Sequence, residues 1–261
     1  MIVARKWMAA LGVMVSTPAL AQSLAAGSSG RPVSFVACPE FRNTARQCWL
    51  AESGGKTYYI GAFRVGTPPQ LLHKVLVEGV AHDDQTSCGA INIDPVQISP
   101  LPELDFSCDA VLPDNGTAPR EGSLFDLPPE VLARNGGDVP APPPLTKNMA
   151  FAVTLDFDRT VLNLVNQAKV ELIARTIMAS PVARVIVTGH AGQSRLDDGS
   201  VMREAPEVAA RRMAVVRDAL IAIGVPEKIV DGRIADSLPE GSSVLGPESR
   251  EVTIDVVLAR P

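Results

Sequence analysis

An arginine in the middle of an apolar helix face is the residue with the clearest chemical potential in this sequence. Ala209, Arg212, Val216, Leu220 and Ile223 recur at spacings of three and four, so Arg212 lies on or beside a buried face. A buried guanidinium needs a carboxylate or another acceptor for its planar fork. The acceptor is either an internal acid, or a ligand carboxylate bound in a cleft. A third alternative is a stem that leaves its charged head in water.

The elements around this helix predict one α/β unit over residues 149–261. Alternating or continuous apolar runs predict four strands, and apolar spacings of three and four predict two helices. The order is a strand at 151–157, a helix at 161–177, a strand at 182–189, a helix at 206–223, and strands at 229–234 and 250–258. The expected fold class is α+β, a βαβαββ two-layer sandwich with both helices on one face of the sheet.

Five motifs of this unit occur in the order found in the OmpA-like C-terminal domain family. They are LDFD at 155–158, VTGH at 187–190, AARRMAVVRDAL at 209–220, IGVPEKI at 223–229 and VTI at 252–254. Residues 151–258 therefore resemble that family, whose members bind peptidoglycan non-covalently. The resemblance implies that a helix arginine, here Arg212, holds the carboxylate of diaminopimelate in the stem peptide. An aspartate after the second strand would hold its amine.

Several positions depart from the family pattern. The aspartate position is Gly192, and the loop that follows is about five residues longer than in typical members. Asp197 and Asp198 in that loop are candidates for the missing acid, although acids on a solvated turn beside a glycine are the simpler interpretation. His190 either faces the cleft or packs against its neighbours. Arg203 and Glu204 are most simply solvated loop charges, as are many charges in such loops.

The N-terminus has the pattern of a secretory signal. Arg5 and Lys6 precede an apolar run over residues 7–15, and an A-x-A cleavage site ends at Ala21. A retained membrane anchor is the alternative, but the run is shorter than the ~20 residues that span a bilayer. We expect residues 1–21 to be removed, which leaves 22 basic and 29 acidic residues and a net charge of −7. Such a chain is a poor nucleic-acid binder.

Four cysteines in an exported chain predict two disulfides. Short loops close most easily, which favours pairing Cys38 with Cys48 and Cys88 with Cys108. A zinc site is the alternative, but the usual C-x-x-C spacing is missing. Short strands between turns predict a small β-rich domain over residues 38–112, with Pro95 at an edge or bulge. An oligomer-binding barrel is one form that such a domain could take.

Two further segments are predicted to lack a core. Residues 22–37 are small and polar, and we expect them to be disordered. Residues 113–148 contain eight prolines and four glycines, a composition typical of an extended linker. The linker either merely separates the two domains or gives the second domain reach.

These observations favour a non-catalytic protein of a Gram-negative cell envelope, located in the periplasm. Association with the outer membrane or cell wall is a further expectation. The expected partner is the peptidoglycan stem peptide, bound weakly because of Gly192. The alternative is a degenerate OmpA-like domain that serves as a protein-interaction or structural scaffold, with other envelope proteins as partners. The three scattered histidines and the missing nucleophile and phosphate motifs predict no enzyme, metal or cofactor.

Overall fold

The computed structural model describes residues 30–44, 48–61, 67–118, 142–236 and 246–259. The predicted signal peptide and the centre of the predicted linker, residues 119–141, lie outside this part. The strands are β1 Arg31–Ala37, β2 Pro39–Arg42, β3 Cys48–Ser53, β4 Lys56–Tyr59, β5 His73–Ser87, β6 Ala90–Leu104, β7 Val111–Leu112, β8 Met149–Thr154, β9 Val182–Gly189, β10 Gln193–Arg195, β11 Val201–Arg203, β12 Val230–Ile234 and β13 Glu251–Leu258. The helices are α1 Leu164–Met178 and α2 Glu207–Ile223.

The N-terminal strands form a sheet that closes on itself. Its order is β1-β5-β6-β4-β3-β2-β7, and only Cys38 separates β1 from β2 in the chain. Because β1 pairs with β5 while β2 pairs with β3, the β1–β2 segment joins the two ends of the sheet into a barrel. The barrel is filled by buried apolar side chains of Val33, Phe35, Ala51, Tyr58, Ile60, Val75, Val77, Ala81, Ile93 and Ile98. The structure thus has the small β-rich unit that the sequence predicts.

Two local features of the barrel bear on the predictions. The expectation of disorder over residues 22–37 is wrong for 31–37, because Val33 and Phe35 of β1 are buried in the barrel core. The bulge expected at Pro95 is present: Gly79 pairs with Val96 and Ala81 with Ile93, so one residue of β5 stands opposite two of β6.

The four cysteines form two disulfides, but the pairing favoured from the sequence is wrong. The bonds are Cys38–Cys108 and Cys48–Cys88. Arg42 pairs with Cys48 in the β2–β3 register, which places Cys38 four positions farther along the strand pair. At about 3.3 Å per residue that separation is ~13 Å, beyond the ~7 Å that a disulfide tolerates between Cα atoms. The strand register therefore overrides the entropic preference for short loops.

The C-terminal strands and helices follow the predicted order. The sheet order is β12-β9-β13-β8, with β12 parallel to β9 and β13 antiparallel to both β9 and β8. The helices α1 and α2 pack on one face, over a core that includes Val153, Ile173, Val187, Leu220 and Ile254. The α+β class and the βαβαββ arrangement are therefore confirmed. The hairpin β10–β11, inserted between β9 and α2, was not predicted.

A buried polar interface joins the barrel to this unit. The fully buried guanidinium of Arg250 donates to both oxygens of Glu78 on β5, at 2.5 and 3.3 Å. The backbone N–H of Phe157 donates to Ser99 of β6 at 2.8 Å, and Arg159 donates to the carbonyl of Pro100. A buried charge is tolerated only when it is paired. Arg250 therefore requires the barrel in place, and Glu78 requires the C-terminal unit.

Asp156 lies in the same interface. Its carboxylate accepts from Gln97 at 2.5 Å and from Thr67, and the residue is 3% exposed. Burial raises the pKa of the Asp156 carboxyl, against the opposing effects of the Thr67 hydrogen bond and the charge of Arg250.

Among the described residues, none of the helices has the length and apolar character needed to traverse a bilayer.

Peptide mapping without reduction tests the disulfide assignment. We expect cross-linked peptides that contain Cys38 with Cys108 and Cys48 with Cys88. Each bond closes a long loop, so its removal should cost about 4 kcal/mol of barrel stability by the chain-entropy relation. A peptide joining Cys38 to Cys48 would contradict the strand register.

The raised pKa of Asp156 predicts a pH dependence of stability. The stabilising contribution of the protonated carboxyl is complete below the unfolded pKa of about 3.9, and it is lost as the pH rises through the higher folded value. Urea denaturation of the wild type and of Asp156→Asn should therefore diverge with rising pH, to the disadvantage of the wild type. Asp255→Asn, on an exposed position of β13, is the matched control and should follow the wild type.

Candidate functional site

The guanidinium of Arg212 has every donor satisfied inside the protein. Its side chain is 0% exposed. Nε donates to the carbonyl of Arg159 at 3.0 Å, and the two terminal nitrogens donate to the carbonyls of His190 and Asp156 at 3.1 and 2.7 Å. The same two nitrogens donate to the two oxygens of Glu204, each at 2.5 Å. These five bonds use the five N–H groups of an arginine.

The partner carboxylate of Glu204 is satisfied in the same way. Besides the two bonds from Arg212, Oε2 accepts from the backbone N–H of Gly192 and Oε1 from that of Asp158, both at 2.6 Å. A carboxylate has about four acceptor positions, so none is left for a further ligand. The pair is neutral as a whole, and both side chains are fully buried.

The sequence analysis placed Arg212 on or beside the buried face, and the structure shows it fully buried with an internal acid as its partner. The role of Arg212 in ligand binding stays a prediction. Glu204 is not the solvated loop charge that we expected but the internal acid partner of the arginine. Glu204 lies eight residues before Arg212, in a loop that has no periodicity, so neither spacing nor pattern connects the two residues. The alternative of an internal acid, which the sequence left open, is the one that the structure shows.

Gly192 lies where the structure leaves no room for a side chain. A Cβ atom at this position would lie 2.3 Å from Cγ of Arg250 and 3.0 Å from the carbonyl oxygen of Ser249. Contacts of this kind exclude a side chain unless the backbone shifts. The stem of Arg250 thus occupies the space where an aspartate would stand, and the glycine is a steric requirement of the interface with the barrel.

Asp197 and Asp198, the two candidate acids, form no hydrogen bond with Arg212, whose donors are used by other groups. Asp197 lies at the tip of the β10–β11 hairpin, where its carboxylate accepts from the backbone N–H of Ser34 at 3.0 Å. Asp198 accepts from the N–H and hydroxyl of Ser200, which lowers the pKa of its carboxyl. Asp198 matches the simpler interpretation of an acid on an exposed turn, whereas Asp197 contacts the barrel.

His190 contributes its backbone to the site. Its carbonyl accepts from Arg212, as described above, while the imidazole is partly buried. Burial lowers the pKa of that imidazole, and the charge of Glu251 opposes the effect.

Among the described residues, no cluster of three or more His, Cys, Asp or Glu side chains has an arrangement that could hold a metal ion.

An open groove of about 580 Å³ lies beside the closed pair. Arg203 at the end of β11 and Asp236 after β12 are both exposed and line it. Neither side chain forms an ion pair with another residue in the part of the chain described. The groove therefore offers one charge of each sign to a ligand. Two polar residues of the closed site, Gln193 and Glu204, also border the groove. The rest of its lining is small or apolar: Ala191, Gly192, Pro206, Ala209, Ile234 and Ala235.

Comparison with known proteins gives only distant similarity. No protein-family model matches the chain, and no curated protein matches it. Among solved structures, it is similar to the OmpA-like domain of FopA1 from Francisella tularensis, at 15% identity and a TM-score of 0.34, over 43% of this chain and 77% of that one. The periplasmic domain of MotB from Helicobacter pylori matches at 18% identity and a TM-score of 0.35, over 44% and 80%. The fold description therefore rests on the strand order and pairing above.

The closed pair predicts strongly coupled effects of substitution on stability. Arg212→Met or Glu204→Leu alone leaves the charge of the other residue buried and unpaired. Each variant should lower the free energy of unfolding, measured by urea denaturation, by about 3–5 kcal/mol. The double variant removes both charges and should cost less than the sum of the two, with a coupling of about 2 kcal/mol or more. Arg211→Met changes the exposed neighbouring arginine and should be nearly neutral. Additive single costs would show that the pair is not formed.

Proposed function

We propose that this chain is a non-catalytic cell-envelope protein whose C-terminal unit associates non-covalently with peptidoglycan in the periplasm. The OmpA-like resemblance of residues 151–258 supplies the ligand class. The binding surface is the groove beside the Arg212–Glu204 pair, and Arg212 itself supports the groove wall. The observation that carries the proposal is the pair of exposed opposite charges, Arg203 and Asp236, which line one groove.

The chemistry of the stem peptide fits such a groove. Diaminopimelate carries an amine and a carboxylate at one end, so it requires one protein group of each sign within a short distance. Arg203 is suited to the carboxylate because its fork can bind both oxygens, and Asp236 is suited to the amine. Both groups are exposed and screened by salt, so we expect weak, salt-dependent binding.

Sedimentation with purified peptidoglycan sacculi tests this proposal. We expect the wild-type chain in the pellet at low salt. Arg203→Ala or Asp236→Ala should each weaken binding by up to ~5-fold, because an exposed ion pair contributes about 0.2–1 kcal/mol. Arg195→Ala and Asp198→Ala are matched controls of the same charge outside the groove lining and should leave sedimentation unchanged. A wild-type chain that stays in the supernatant overturns the proposal.

A scaffold is the second candidate, and one specific observation favours it. The arginine that the resemblance assigns to the ligand is fully used by Glu204. In that case the unit would hold the barrel in place for an envelope protein partner. Retention of a specific envelope protein by the immobilised chain, together with no sedimentation of the wild type with sacculi, would select this candidate.

A further inference from the structure

The hairpin between Gly192 and Glu204 is held by hydrogen bonds at its base and at its turn. At its base, Gly192 and Glu204 bond to each other twice: the N–H of Gly192 donates to Glu204 Oε2, and the N–H of Glu204 donates to the Gly192 carbonyl at 3.0 Å. The carboxylate that fills the fork of Arg212 therefore stands at the end of this hairpin. Any movement of the hairpin base moves the carboxylate with it.

The rest of the hairpin is held by the barrel. The N–H of Asp197 donates to the carbonyl of Ser34 at 2.7 Å, and its carboxylate accepts from the N–H of Ser34. Nearer the base, the hydroxyl of Ser194 donates to Glu78 at 2.7 Å and accepts from Arg250 at 2.8 Å. Ser34 and Glu78 belong to β1 and β5, so the bonds of Asp197 and the Ser194–Glu78 bond depend on the presence of the barrel, whereas the Arg250–Ser194 bond lies within the C-terminal unit.

The hairpin is also bonded inside the C-terminal unit at its base: the N–H of Gln193 donates to the Ser249 hydroxyl at 2.9 Å, and that hydroxyl donates to the Gln193 carbonyl at 3.0 Å. The hairpin contains two strands of three residues, joined by an exposed turn at residues 197–200. A two-stranded hairpin of this size is marginal in water unless it packs on another element. The barrel contacts of Asp197 and Ser194 therefore add to the bonds at the base in holding the hairpin, and with it Glu204, in position.

We propose that the barrel acts as a latch that holds Glu204 on Arg212 and so keeps a second, carboxylate-binding site of this chain closed. The inference rests on the proposed association with peptidoglycan and deepens it. With the hairpin docked, only the groove charges of Arg203 and Asp236 are available. When the hairpin leaves the barrel, Glu204 can leave the fork, and the fork accepts a carboxylate of the ligand in its place.

Hydrogen exchange in the full chain tests the latch without any ligand. The backbone N–H groups of Gly192 and Asp158 both donate to Glu204, so they report directly on whether its carboxylate is in place. The double variant Ser194→Ala/Asp197→Ala removes the side-chain bonds to the barrel and leaves Glu204 and Arg212 intact. We expect exchange at these two amides to become about 10- to 100-fold faster. Asp198→Ala removes the neighbouring carboxylate, which bonds only within the turn, and should not change them.

Sedimentation with sacculi then separates the latch from the proposed function. If the latch exists, Ser194→Ala/Asp197→Ala should bind sacculi about tenfold more tightly than the wild type, and Arg212→Met added to it should remove the gain. Amides that exchange as slowly in the double variant as in Asp198→Ala overturn the latch, whatever the sacculi show. If those amides open but neither the wild type nor the double variant sediments, the latch stands as a conformational device and peptidoglycan association fails.

Discussion

The structure of the C-terminal unit depends on one buried ion pair whose hydrogen-bonding capacity is complete. Arg212 uses its five donors, and Glu204 its four acceptor positions, on groups of the same chain. Removing two charges from water costs several kcal/mol per ion, which is recovered only when geometry and additional hydrogen bonds are good. The pair meets that condition by joining helix α2 to the loops after β8 and β9, so the ends of three elements are fixed at one point.

The barrel interface and the Arg212–Glu204 pair are connected through Arg250. Arg250 reaches across to Glu78 of the barrel, and its stem passes through the space in which a side chain at position 192 would stand. The backbone N–H of Gly192 donates to Glu204, and Glu204 in turn neutralises Arg212. The absence of a side chain at position 192 is thus coupled to the interface with the barrel.

Much of the fold could be predicted from the sequence because the signals are local. The apolar periodicities of α1, α2, β9 and β13 follow from burial on one face, and the structure confirms these elements in order. The contacts that define the site could not be predicted, because they join positions without a shared pattern. Glu78 and Arg250 are 172 residues apart. The predicted disulfide pairing was wrong for the same reason. Strand register is a property of the whole sheet, whereas the prediction used only loop length.

A closed site of this kind can bind a ligand only if one partner of the ion pair moves. A neutral, saturated pair has no affinity for a ligand charge as it stands, so any role for Arg212 in binding requires an exchange of one carboxylate for another. Such an exchange keeps the arginine satisfied throughout, and its free-energy cost reduces to that of moving Glu204 into water. Glu204 belongs to a short hairpin that is exposed at its turn and bonded to the barrel through Ser34 and Glu78. The barrel contacts therefore add to the cost of opening, together with the bonds of Gln193 to Ser249 at the hairpin base.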